Sequence, residues 1–176
     1  MSVVPLAPEH CDALLRFFRD LPEGDRTFIK EDVTDPETVR AWTTGGNRWV
    51  TVEDGEVRGY VAVLPLSGWS DHVGEVRLVV APAARGTGLG RDLARHALVA
   101  GVEAGLTKLV VEIVAEQGAA LALFSALGFA GEALLRDHIR DRDGQLRDLM
   151  VLAHHVDETW SGMDTVGVAD ALEEPT

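Results

Sequence analysis

Between residues 74 and 114 the sequence runs strand, glycine-rich turn, helix, strand, and that order leaves few folds open. Residues 74–81 alternate Glu75, Arg77 and Val79 against Val76, Leu78 and Val80, the pattern of a mostly buried strand with polar positions near its start. Leu89, Leu93, Ala97, Ala100 and Ala104 then share one helical face, and Gly105 is placed to stop that helix. Residues 108–114, with Leu109, Val110, Val111, Ile113 and Val114, form the most strand-like run in the chain. A strand, a crossover helix and a second strand make a βαβ unit, so the two strands are expected to be parallel neighbours.

The connection into the helix reads Val80-Ala81-Pro82-Ala83-Ala84-Arg85-Gly86-Thr87-Gly88-Leu89-Gly90. Glycines let a backbone turn tightly, and their N–H groups can converge on an anion. The helix N-terminus adds the positive end of its dipole, and Arg85 adds a planar cation, so the geometry suits a pyrophosphate. A nucleoside-triphosphate loop would need Lys and then Ser or Thr after the glycines, where this chain has Arg91-Asp92. A dinucleotide fingerprint would need its third glycine where Arg91 stands.

The remaining elements surround this unit. Residues 9–21 carry Cys11, Leu14, Leu15, Phe17 and Phe18 at helical spacing, and Pro22-Glu23-Gly24-Asp25 is expected to break that helix. Asp35-Pro36 starts a second helix, with Val39 and Trp42 facing inward, and residues 26–34 are a candidate substrate-covering loop. Asp54-Gly55 predicts a hairpin between strands at 49–53 and 57–64. Residues 65–71 form a loop carrying Trp69, residues 119–127 a short helix ended by Gly128, and residues 132–139 and 146–155 a final strand pair. The expected architecture is one α+β domain over residues 1–156, with a mixed sheet, helices on both faces and an acidic tail at 157–176.

Charge narrows the function. Asp and Glu number 29 against 16 Lys and Arg, a formal charge of -13 that disfavours nucleic acid and anionic membrane as partners. The same field favours a cationic acceptor such as a small-molecule amine or a protein lysine, although solubility alone explains it equally well. Cys11 is the single cysteine, so no intramolecular disulfide is available. The N-terminus lacks a secretory pattern and no apolar run is long enough to span a bilayer, which makes the cytoplasm the expected compartment. His154 and His155 are adjacent and would point to opposite faces of a strand, His72 and His138 are isolated, and no metal is expected.

On Arg85-Gly86-Thr87-Gly88-Leu89-Gly90, with Leu78-Val79-Val80-Ala81-Pro82 before it, the sequence resembles the GNAT superfamily of acyl-CoA-dependent N-acyltransferases, locally the bacterial protein-lysine acetyltransferases. Ala119-Ala120-Leu121-Ala122-Leu123-Phe124 followed by Leu127-Gly128-Phe129 resembles the family's later signature, and the likeness extends over most of residues 4–156. The resemblance implies a splayed parallel strand pair with acetyl-CoA in the opening. Pantetheine would run beside Leu78, Val79 and Val80, and the diphosphate would sit on Arg85, Gly86, Thr87, Gly88, Leu89, Gly90 and Arg91. Gln117 stands where the family often has asparagine beside the cofactor chain, and Phe124 where it often has the tyrosine that returns a proton to the thiolate. Phenylalanine cannot do that.

Acetyl transfer to an amine needs a proton acceptor near the thioester. Glu75, a carboxylate on an apolar strand, is the candidate base, and the resemblance places a glutamate at a comparable position in several subgroups. The alternative is a structural pair with Arg77. Glu112, in the neighbouring strand, would hold the amine, share a proton network with Glu75, or face solvent. His72 would line the acceptor side or sit on the surface. Arg26, Phe28, Trp42 and Trp69 would wall an acceptor pocket or simply pack. Cys11 lies far in sequence from the turn, so direct attack in a ternary complex is expected over a covalent acetyl-enzyme. The competing function is a non-catalytic acyl-CoA-binding module, and the final hairpin is a candidate homodimer edge.

Overall fold

The computed structural model describes residues 2–156. Its strands are β1 (Val3–Pro5), β2 (Arg48–Glu53), β3 (Glu56–Pro65), β4 (Val73–Val80), β5 (Lys108–Val114), β6 (Ala130–Arg140) and β7 (Leu146–His155). Its helices are α1 (Cys11–Asp20), α2 (Glu23–Arg26), α3 (Pro36–Trp42), α4 (Leu89–Glu103) and α5 (Gly118–Ser125). The strands form one sheet in the order β1-β2-β3-β4-β5-β7-β6. β4 and β5 are parallel, as the strand–helix–strand order requires, while β1–β2, β2–β3, β5–β7 and β6–β7 are antiparallel. The fold is therefore α+β with a mixed central sheet and flanking helices. The acidic tail expected at 157–176 lies outside the described residues. Among the described residues, no helix is long and apolar enough to cross a membrane.

The described residues divide into two compact units, one of residues 2–62 and 78–93, the other of residues 63–77 and 94–156. In the first, the β2–β3 hairpin turns at Asp54 and Gly55 with φ of 52° and 78°, the left-handed pair that Asp-Gly tolerates and a tight hairpin needs. α1 presents Leu14, Phe17 and Phe18 inward, each buried. Phe18 packs edge-on against Trp42 and Tyr60, and Trp42 stacks on Tyr60 with ring centres 5.6 Å apart. α3 begins as expected: the Asp35 carboxylate accepts from the Glu37 and Thr38 amides, a cap worth about 1 kcal/mol. Gly59 is glycine because α4 crosses it closely, since a Cβ there would stand 2.6 Å from Leu93 Cδ1. α1 stops at Asp20, the break expected at Pro22-Glu23-Gly24-Asp25, and after Pro22 residues 23–26 wind a separate helical turn, α2, with the Asp25 and Arg26 amides both donating to Pro22 O.

In the second unit β5 buries Leu109, Val111, Ile113 and Val114. β7 pairs with it along its full length, from Lys108↔His155 to Val114↔Leu149. Gly101 on α4 lies against Leu109, whose Cδ2 would be 2.8 Å from an added Cβ, so the helix settles directly on the strand. α5 ends where Gly128 takes a φ of 83°. Phe124 and Phe129 meet edge-on with centres 5.1 Å apart, and Phe129 tilts against the buried His154. Burial pulls the His154 imidazole below the ordinary histidine range, opposed by hydrogen bonding to the backbone of Leu127 and Gly128.

Candidate active site

The glycine-rich turn lies in the first unit. β4 delivers Leu78, Val79 and Val80, all half-buried, and a short 3-10 turn at Pro82–Ala84 leads to Arg85. Gly86 and Gly88 adopt φ of 75° and 94°. A Cβ at either would meet nothing within 4 Å, so the backbone angle and not crowding is what selects glycine there. Thr87 Oγ1 donates to Ala84 O at 2.7 Å, pinning the loop to the end of the 3-10 turn. The amides of Arg91 and Asp92 close onto Gly88 O. Among the described residues, no backbone N–H of residues 86–90 donates to a protein acceptor. A run of N–H groups of this kind at the start of a helix is one that can receive an anion.

Arg85 is held from two sides. Its Nε and Nη2 each donate to Val80 O at 3.3 Å, and Nη2 also donates to the Asp25 carboxylate of α2. The cation expected from the motif is therefore at the turn, but one of its N–H groups is engaged by an acid. Arg91 is exposed at the first turn of α4.

The candidate base lies in the second unit. Glu75 sits on β4 with its side chain 13% exposed, and Arg77 Nε and Nη2 donate to its two carboxylate oxygens at 3.1 and 3.2 Å. The pairing of Glu75 with Arg77 is thus a fact of the structure. The register of β4 with β5 covers Val73↔Lys108, Gly74↔Leu109 and Glu75↔Val110 and goes no further, although both strands continue. Parallel register and strand alternation place Glu112 on the same face as Glu75 and Arg77, and Glu112 is exposed. Burial lowers Arg77 below the ordinary arginine value, and the charge of Glu112 opposes that shift.

The other expected residues separate. Gln117 precedes α5 and is exposed, with no side-chain capping bond to its helix. Phe124 is 3% exposed and committed to the Phe129 contact. Trp42 is half-buried, packs against Phe18 and Tyr60, and has the Arg48 guanidinium 5.2 Å from its ring centre. Arg26 donates to Arg19 O. Trp69 is 96% exposed and His72 is exposed. Tyr60, the single tyrosine, is buried and its hydroxyl accepts from Arg48 Nε at 3.1 Å. Asp25 is the residue that sequence reading missed. It stood in a stretch read as a helix breaker, 60 residues from the arginine it meets.

Comparison with known proteins identifies the family. The profile of the Acetyltransferase (GNAT) family matches residues 14–129. The uncharacterized N-acetyltransferase YjgM of Escherichia coli is 31% identical over 108 residues, covering 60% of this chain and 65% of that protein. Streptothricin acetyltransferase of Streptomyces lavendulae is 35% identical over 123 residues, covering 61% of this chain and again 65% of the relative. Among solved structures, yncA of Salmonella typhimurium, determined with its cofactor acetyl-CoA, superposes with a TM-score of 0.79 at 22% identity, covering 89% of this chain and 94% of that one. With the profile running from within α1 through the glycine-rich turn to beyond α5, the chain belongs to the GNAT acetyltransferase family.

Proposed function

We propose that this chain transfers an acetyl group from acetyl-CoA to a primary amine by direct attack, with Glu75 taking the proton that the amine releases. The observation that carries this reading is the run of open amides at residues 86–90, ordered by two glycines at positive φ and flanked by Arg85. Those amides would hold the donor's diphosphate, with Leu78, Val79 and Val80 beside the pantetheine, Gln117 along the same chain and Arg91 near the phosphates. The thioester supplies an acyl group already activated toward nitrogen nucleophiles. Glu75, fixed by the Arg77 fork, offers a carboxylate of set orientation to the neutral amine of the acceptor and takes the proton that nitrogen sheds as the N–C bond forms and the C–S bond breaks. Phe124 has no proton to give, so sulfur departs as thiolate, which an ordinary thiol pKa of about 8.5 makes tolerable. Acceptors of the primary-amine class, free or on a protein lysine, fit the formal charge of -13. Streptothricin, named for one relative, is a further acceptor to test.

A second reading, an acyl-CoA-binding module without turnover, draws on the buried Phe124 and on the double engagement of Glu75 by Arg77. The two are separated by following thiol release from acetyl-CoA over pools of amines and lysine peptides, with the wild type and Glu75→Gln. Amine-dependent release that falls about tenfold or more in the variant, with CoA affinity unchanged, is the result expected of an enzyme with this base. Tight CoA binding with no release in any pool would favour the module.

A further inference from the structure

The contact between Asp25 and Arg85 joins two segments with different tasks. Arg85 belongs to the glycine-rich turn. Asp25 belongs to α2, within the connection from α1 to α3. That connection is tied back to α1, since Arg26 Nη1 donates to Arg19 O at 3.0 Å and Arg19 Nη2 donates to Thr34 O at 3.1 Å. Asp25 is the point at which it reaches the turn. A carboxylate oxygen on a guanidinium takes the geometric place of a phosphate oxygen. Both partners are partly solvated, with side chains 49% and 30% exposed, so the pair is weak enough for a multiply charged anion to displace.

We propose that Asp25 competes with the donor's diphosphate for Arg85, so that donor binding unfastens the α1–α3 connection from the glycine-rich turn. Asp25 is then a positioning residue that lowers donor affinity and couples donor arrival to the segment carrying Arg26 and Phe28. This rests on the reading of residues 85–90 as the donor site. The Val80 carbonyl keeps Arg85 in place when Asp25 leaves, because it accepts from both Nε and Nη2.

The test is a titration of the full chain with CoA by calorimetry, for wild type, Asp25→Asn, Asp25→Glu, Arg85→Gln and the Asp25→Asn/Arg85→Gln pair. Loss of an exposed competing ion pair should tighten CoA binding about two- to fivefold in Asp25→Asn. Asp25→Glu should bind as the wild type does, and the KM for acetyl-CoA should fall in Asp25→Asn with kcat unraised. In the Arg85→Gln background the same substitution should change nothing, since the competition needs the guanidinium. Asp20→Asn, which removes a nearby acid not bonded to Arg85, controls for charge alone. Unchanged or weaker CoA binding in Asp25→Asn overturns the proposal. So does a gain that persists without Arg85 or is matched by Asp20→Asn. CoA affinity that depends on Arg85 while ignoring Asp25 defeats this inference alone. CoA affinity indifferent to Arg85, or no CoA binding at all, defeats the donor-site reading with it.

Discussion

Gly88→Ala isolates the backbone contribution to the donor turn. At φ 94° an L residue is strained, and the added Cβ meets nothing within 4 Å, so no clash contributes. The expected cost is then the intrinsic one for an L residue in left-handed backbone, about 1–2 kcal/mol. For a chain of this size each kcal/mol lowers Tm by roughly 2–4 °C, so a fall of about 2–8 °C is expected. Gly24→Ala is the matched control, also with nothing within 4 Å of its Cβ but without a positive φ, inside the α2 turn. It should be neutral or stabilising by up to about 1 kcal/mol. Urea unfolding without ligand reads both. The Gly88→Ala chain can also relieve its strain by rotating away from positive φ, and that rotation swings the neighbouring N–H groups out of line. CoA affinity should then fall by about tenfold or more, each lost charge-assisted hydrogen bond being worth about 1.5–3 kcal/mol. If Gly88→Ala matches the wild type in both stability and CoA affinity, the account of this turn is wrong.

Two further outcomes concern titration. Burial pushes the Tyr60 hydroxyl up to about 12, against the lowering influence of Arg48, so the phenolate absorbance of this single tyrosine should be missing near pH 10 in the folded protein and present in urea. The linked stability is full below pH 10 and is lost as pH rises towards 12; a folded-state titration near 10 would refute the assignment. His154 and His96 are both held below the ordinary value of 6.5 by burial, so the unfolded chain takes up their protons first. Stability should be full above pH 6.5 and fall as pH drops beneath it, and His154→Gln should remove part of that slope in urea unfolding at pH 7.5 and 5.5.

The elements that local chemistry dictates were legible in sequence. β5 runs over the expected residues 108–114 because its apolar run has no competing helical period. The β2–β3 hairpin follows from Asp54-Gly55, and α3 from Asp35-Pro36, each a short motif with its own geometric demand. The turn at residues 85–90 was legible for the same reason. Contacts made at long range were not. Asp25 becomes meaningful only when the fold carries it to Arg85, and α2 was hidden by Pro22 and Gly24, which also serve to start and populate a single helical turn. Glu75 with Arg77 is intermediate: alternation puts both on one strand face, but only coordinates show the guanidinium fork spanning both oxygens. Trp42 could be read from sequence only as an aromatic facing inward, and its stack on Tyr60 and edge contact with Phe18 needed the fold to appear.

The parallel register between β4 and β5 also bears on how the chain assembles. Val73, Gly74 and Glu75 pair with Lys108, Leu109 and Val110 across the whole length of α4, whereas β2–β3 and β6–β7 are joined by their own turns. Closing the longer loop costs more chain entropy, and the short register returns few hydrogen bonds for it. That seam is therefore expected to open more readily than either hairpin, which would appear as faster amide exchange along its register than in the middle of the β2–β3 hairpin.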